Sequence, residues 1–243
     1  MRYWEKAGIW GFSVIAGGCA SVSMPVLRHE TGETLGAGKV RAAVSLGTSR
    51  VLPVSAASFA GVGFPQSASL FRGNQIGAKG SVGVTSGLDL QLRTVFSPGG
   101  GGWSLGAKQL LVGSGPFSVS GMIGIGRYSG GGTLSYETVS GSSSLATVLT
   151  ATQLDLGVPV SYRLGKDTVV YSGLDYYRSS FSGSAGSAIV EDSASDIGLN
   201  LGVRQTFGRI EVDAEVMMLK LGGPFTAGVG FTPFLGVAAG IIF

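Results

Sequence analysis

The chain has 243 residues, a formal net charge of +3, only 13% charged residues, 43 glycines and a mean hydropathy of +0.38. Water-soluble domains carry about 25% charged residues, and flexible Gly/Ser linkers are not apolar, so neither describes it. The small charge, with no basic cluster interleaved with aromatics, argues against a nucleic-acid partner; one Cys and one His argue against a disulfide framework or a protein-built metal site.

Two stretches, 7–27 and 221–243, are long, apolar and uncharged, the pattern a hydropathy scan reads as membrane helices. The second holds Gly222, Gly223, Pro224, Gly228, Gly230, Pro233, Gly236 and Gly240, a density of breakers no helix tolerates. The first has another use. Arg2 and Lys6 precede an apolar run to Ala16, and Gly17-Gly18-Cys19 follows, the three-part layout of a secretory signal peptide over residues 1–18. Ile15-Ala16-Gly17-Gly18-Cys19 resembles a lipobox, with Ala16 in place of the usual Leu, and the resemblance implies acylation of Cys19. An ordinary signal peptide cut nearby is the alternative. Residues 19–35 then form a polar tether that holds His29.

From Gly36 onward the chain alternates with period two in about ten segments parted by turn residues. The first, 37–47, sets Val40, Ala42, Val44 and Leu46 against Lys39, Arg41, Ala43 and Ser45. A mixed stretch, 48–74, follows as a loop. The second and third strands, 75–84 and 88–96, flank the turn 85–87; in the third, Leu88, Leu90 and Leu92 oppose Asp89, Gln91 and Arg93. The fourth and fifth, 103–112 and 117–128, flank 113–116. A Gly/Ser/Thr-rich loop, 129–150, leads to the sixth, 151–164, in which Pro159 is a defect because it cannot donate to a ladder. The turn 165–167 leads to the seventh, 168–180, and a loop over 181–192 to the eighth, 193–207. Gly208 turns into the ninth, 209–221, where Ile210, Val212, Ala214 and Val216 oppose Glu211, Asp213 and Glu215. The last eleven residues, 233–243, place Leu235, Val237, Ala239, Ile241 and Phe243 on one face and the small Gly236, Ala238 and Gly240 on the other.

This terminal strand, ending on an aromatic, resembles the closing strand of Gram-negative outer-membrane β-barrels. The resemblance implies that Phe243 is the signal read by the barrel assembly machinery, that residues 36–243 are one such barrel, and that the protein sits in the bacterial outer membrane with lipid and lipopolysaccharide as its surroundings. The expected fold is all-β: a transmembrane, antiparallel, up-and-down barrel of about ten strands. Turns alternate short and long along the chain, and in such barrels the short ones are periplasmic. An even strand count then puts both chain ends in the periplasm, with 19–35 a periplasmic tether and any lipid on Cys19 in the inner leaflet. Soluble β-domains tethered by lipid are the structural alternative.

The apolar parity should face lipid and the polar parity the lumen. At the periplasmic ends the apolar faces carry Phe117, Tyr162, Phe207 and Phe243; at the outer ends they carry Phe96 and Trp103, with Tyr176 close by, as two interfacial girdles. Arg127, Arg178 and Lys220 share the outward parity at the outer rim, placed to snorkel or to pair with lipopolysaccharide phosphates. The inward set is Lys39, Arg41, Lys79, Arg93, Lys108, Arg163 and Arg204 against Asp89, Asp155, Asp175, Glu211, Asp213 and Glu215, nearly balanced. Buried charges persist only when paired or wet, and a bore of ~10 strands is near the size side chains fill. The expectation is a charge-paired lumen with a structural or surface-interaction role, or a narrow channel. Catalytic signatures are scarce. The nucleophile-elbow pattern Gly102-Trp-Ser-Leu-Gly106 lies inside a strand rather than at a strand-to-helix turn, and His29 lies in the tether, so no histidine base is expected in the barrel. No cofactor is implied, and an outer-membrane enzyme acting on lipid, with Asp213 as base, is the alternative function. Oligomeric state has no signature here.

Overall fold

The computed structural model describes residues 20–54, 71–98, 100–138, 141–220 and 230–243. The signal peptide over 1–18, Cys19, and the 55–70 part of the first long loop lie outside the described residues.

Ten strands form one closed antiparallel ring: β2 (Val40–Val54), β3 (Phe71–Thr85), β4 (Leu88–Ser97), β5 (Gly100–Ser114), β6 (Phe117–Thr138), β7 (Gly141–Arg163), β8 (Thr168–Ala185), β9 (Ala188–Phe207), β10 (Ile210–Lys220) and β11 (Thr232–Ile242). Each pairs with the next, and β11 pairs back on β2 from Gly236↔Gly47 to Ile242↔Arg41. Phe243 finishes the seam, its N–H donating to the Val40 carbonyl at 2.9 Å. A further strand, β1 (Ala20–Met24), precedes the ring. The described residues include no helix.

Side chains alternate across each strand. In β7, Ala151, Gln153 and Asp155 are buried inside while Thr152, Leu154 and Leu156 face out. Around the ring, Leu46, Ile76, Leu92, Leu105, Ile125, Leu174, Leu199 and Val237 form a continuous exposed apolar belt. Water does not tolerate such a surface, and lipid requires it. Phe117, Tyr162, Phe207 and Phe243 are exposed at one edge of the belt, and Phe96 and Trp103 at the other. Pro159 points inward, and the β6–β7 ladder passes directly from Val119↔Val160 to Met122↔Gly157, skipping Pro159, which has no N–H to give, and its neighbour Val158. At the short-turn end Gly115 and Gly208 have φ of 58° and 64°, the left-handed region that two-residue turns use and glycine adopts freely.

The other end differs from the expected loops. The described parts of 129–150 and 181–192 are not irregular: β6 and β7 run on as strands of 22 and 23 residues, paired as far as Thr138↔Gly141, and β8 and β9 as strands of 18 and 20 closed by a tight turn at 186–187. Likewise β2 continues to Val54 and β3 begins at Phe71. Beyond the lipid the outward face no longer needs to be apolar, so Gly, Ser and Thr take it over and the period-two signal fades while the ladder continues. The ring therefore has one wall, β6–β9, that rises far past the belt.

Candidate functional site

The lumen is filled by the chain's own N-terminal segment. Above Gly47 the β2–β11 ladder ends, and β1 takes the freed edge of β2, from Met24↔Arg50 to Ala20↔Val54, touching β6 at Ser21↔Gly131. From there the chain descends through the bore. Val26 and Leu27 meet Tyr177, Met217, Leu219 and Phe234; residues 28–31 cross the charged middle; Thr34 Oγ1 reaches the Ser86 carbonyl at 2.9 Å, and Gly38 N–H the Gly83 carbonyl at 2.8 Å, at the short-turn end. The segment expected as a periplasmic tether is thus, from Ala20 onward, the content of the barrel. Ala20 lies at the long-hairpin end.

Two glycine contacts show how close the fit is. A Cβ on Gly32 would collide with the Ser118 carbonyl and lie 3.0 Å from that of Pro159. Leu27 seats in the notch between Gly47 and Gly236, where added Cβ atoms would stand 2.6 and 2.5 Å from its Cδ1. Strand glycines of this kind mark close approach.

The middle of the lumen is a charge network built around residues 27–33. Arg28 Nε lies 2.8 Å from Asp175 Oδ1, its guanidinium stacks 5.0 Å over the Tyr177 ring, and its Nη2 is 3.9 Å from Asp155. Glu30 bridges Lys79 at 2.6 Å and Lys108 at 3.0 Å, and Lys108 is 3.5 Å from Asp89. Main-chain groups are held as firmly. Glu215 accepts the N–H of Arg28 at 3.0 Å and of His29 at 2.6 Å. Arg93 donates to the carbonyls of Leu27 and Arg28 at 3.1 and 3.0 Å, and Lys79 to those of Arg28 and His29, each at 3.2 Å. Asp89 accepts the Leu35 N–H at 3.1 Å.

The wall also pairs with itself. Arg204 meets Asp213 at 2.6 Å, and Arg41 reaches across the small residues of β11 to Glu211 at 2.8 Å and Asp213 at 2.7 Å. Arg163 holds Glu33 at 2.6 Å at the short-turn mouth. Lys39 is exposed at that rim rather than turned into the bore. Arg127, Arg178 and Lys220 all point outward at the far edge of the belt, and Arg127 is the register partner of Trp103.

Several members escape a strand-by-strand reading. Arg28, Glu30 and Glu33 lie in a segment without periodicity. Arg50, which pairs with Asp196 and Ser179, fell in an expected loop. Asp196 carries the parity of Asn200 and Arg204 and could have been found by extending it. Higher up, around and beyond the Arg50–Asp196 pair, the lining is largely apolar: Ala20, Val22 and Met24 pack with Val95, Tyr128, Leu149 and Phe181. His29, expected outside the barrel, is inside it and 4% exposed, and neither ring nitrogen has a hydrogen-bond partner. It is also the only non-glycine of positive φ among the described residues, at 52°. Ser104 of the elbow-like pattern sits mid-strand in β5, paired with Arg93.

No family model matches the chain, and no characterised protein matches it in sequence. Solved structures do. The outer membrane protease OmpT from Escherichia coli is 9% identical with a TM-score of 0.48, over 96% of this chain and 98% of that one. An outer membrane channel from Pseudomonas putida F1 is 11% identical with a TM-score of 0.48, over 90% and 100%. The translocator domain of the autotransporter NalP from Neisseria meningitidis is 10% identical with a TM-score of 0.48, over 86% and 88%. At identities this low and TM-scores this modest, the likeness assigns neither a site nor an activity. The closed ring and its girdled apolar belt make the chain a membrane-spanning β-barrel of the bacterial outer-membrane kind.

Proposed function

We propose that this outer-membrane barrel is closed at rest by its own residues 20–35 and serves a structural and surface-interaction role. The observation that carries the reading is the grip on residues 27–30: the N–H groups of 28 and 29, the carbonyls of 27, 28 and 29, and the two charged side chains are engaged by the wall. Ions crossing such a bore would have to break several charge-assisted hydrogen bonds at once. The raised wall β6–β9 supplies a surface beyond the membrane, and Arg127, Arg178 and Lys220 stand where lipopolysaccharide phosphates would meet them. A hydrolytic role has little support: His29 is shut beneath the chain that carries it, and Ser104 lies within a ladder.

Planar-bilayer recording of the unmutated protein tests closure. The expected trace is flat, with very low conductance; steady, large openings of a single size would overturn the reading. The triple variant Arg127→Ala, Arg178→Ala, Lys220→Ala should lose the extra thermal stability that lipopolysaccharide confers over phospholipid. An undiminished difference would remove the rim from the proposal.

A further inference from the structure

Around Arg28 and Glu30 the fixed charges fall into two groups by sign, with Asp89 on β4 and Arg204 on β9 each standing among the opposite sign and paired there, to Lys108 and Asp213. Lys79, Arg93 and Lys108 stand on three adjacent strands, β3, β4 and β5, with Lys79 and Arg93 as register partners. Asp155, Asp175 and Glu215 stand on β7, β8 and β10, across the ring. The chain in the bore uses both walls together. Its cation, Arg28, goes to Asp175, and its anion, Glu30, goes to Lys79 and Lys108. Its N–H groups at 28 and 29 point to Glu215, and its carbonyls at 27 and 28 point to Arg93. A solute carrying one charge satisfies one wall and is repelled by the other. A solute carrying a cation and an anion about two residues apart, on an amide backbone, satisfies both.

Nothing in that chemistry is peculiar to the resident segment, and the space it fills holds a single pass of chain. We infer that the lumen is a binding path for short zwitterionic peptides, with Arg28–Glu30 as a built-in pseudo-ligand that keeps it shut. The inference rests on the closed-at-rest reading above. Neutral sugars have no claim on either wall, and inorganic ions on only one.

The test uses the full-length chain carrying Arg28→Ala and Glu30→Ala, checked for folding by its gel mobility without heating. The probe in planar bilayers is the end-blocked tripeptide N-acetyl-arginyl-alanyl-glutamyl amide; N-acetyl-arginyl-alanyl-glutaminyl amide, which keeps the cation alone, and sucrose are the comparators. The double variant should open intermittently, and the zwitterionic tripeptide should interrupt its current at roughly one-tenth the concentration the monovalent one needs; sucrose should not interrupt it. A folded double variant that stays shut, or one that both tripeptides interrupt equally, overturns the inference and leaves the closed reading standing. Openings from the unmutated protein defeat the closed reading itself. If the double variant does not fold, Glu30→Gln, which keeps the side chain's shape, carries the same comparison.

Discussion

Glu215 holds His29 by its main chain, accepting the N–H at 2.6 Å, while its other oxygen takes the neighbouring N–H of Arg28 at 3.0 Å. A wall carboxylate thus fixes the threaded chain whatever its side chains are. Glu215→Gln presents an amide N–H to one of those N–H groups and loses that bond. Hydrogen bonds to charged groups are worth roughly 1.5–3 kcal/mol, so the unfolding free energy in urea should fall by about that much. Hydrogen exchange at residues 28 and 29 should quicken. Exchange unchanged from the parent would show that the carboxylate does not hold the segment.

Gly32 passes the wall where a side chain has no room. Gly32→Val should therefore displace the lower part of the segment while leaving the ring, which does not include it, intact. The expected result is a barrel with unaltered strand signal in circular dichroism and with residues 28–35 newly open to protease. A variant as protected as the parent would contradict the path described for the chain.

Ser23 Oγ donates to Ser49 Oγ at 2.6 Å, joining β1 to β2. Two cysteines here are close enough to bridge. With Cys19 replaced by Ser, the chain carrying Ser23→Cys and Ser49→Cys should oxidise spontaneously and shift on a non-reducing gel. A pair that remains fully reducible by thiol reagents under mild oxidation would mean that β1 does not occupy the free edge of β2.

Arg204 is the partner of Asp213 at 2.6 Å and also donates to the His29 carbonyl at 3.1 Å. Arg204→Ala strips a buried carboxylate of one of its two arginines. Removing one partner of a buried pair costs about 3–5 kcal/mol; the remaining Arg41, 2.7 Å from Asp213, should hold the loss near the lower figure. Denaturant midpoints decide it, and a loss below roughly 1 kcal/mol would indicate a wet, screened lumen.

The barrel was legible because the membrane imposes a rule on every crossing: apolar out, polar in, period two. Val44, Leu92, Leu154 and Val237 obey it, and Lys79, Asp89, Asp175 and Asp213 were placed by parity alone. Where the membrane stops, so does the rule. The outer halves of β6 and β7 looked like a loop because Gly130, Gly131 and Gly132 and the serines near them have no lipid to face. The segment 20–35 was opaque for another reason. Whether an aperiodic stretch hangs below a barrel or runs through it is decided by contacts with ten distant strands, and no local pattern of Arg28, His29 and Glu30 encodes that. Their pairing potential was visible only once the wall's own charges could be laid around them.

The seam between β2 and β11 carries a consequence for how the molecule is made. The threaded segment lies immediately upstream of β2, and the bore around it admits no side chain at Gly32 and no Cβ at Gly236 without displacing Leu27. A ring already shut could receive this segment only by drawing its free end through lengthwise, past walls of opposite charge. The simpler history is that the segment is laid down first and the first and last strands meet around it, as a hoop is closed on a rod. Order of assembly, and not only the final contacts, is then written into the position of sixteen residues ahead of the first wall strand.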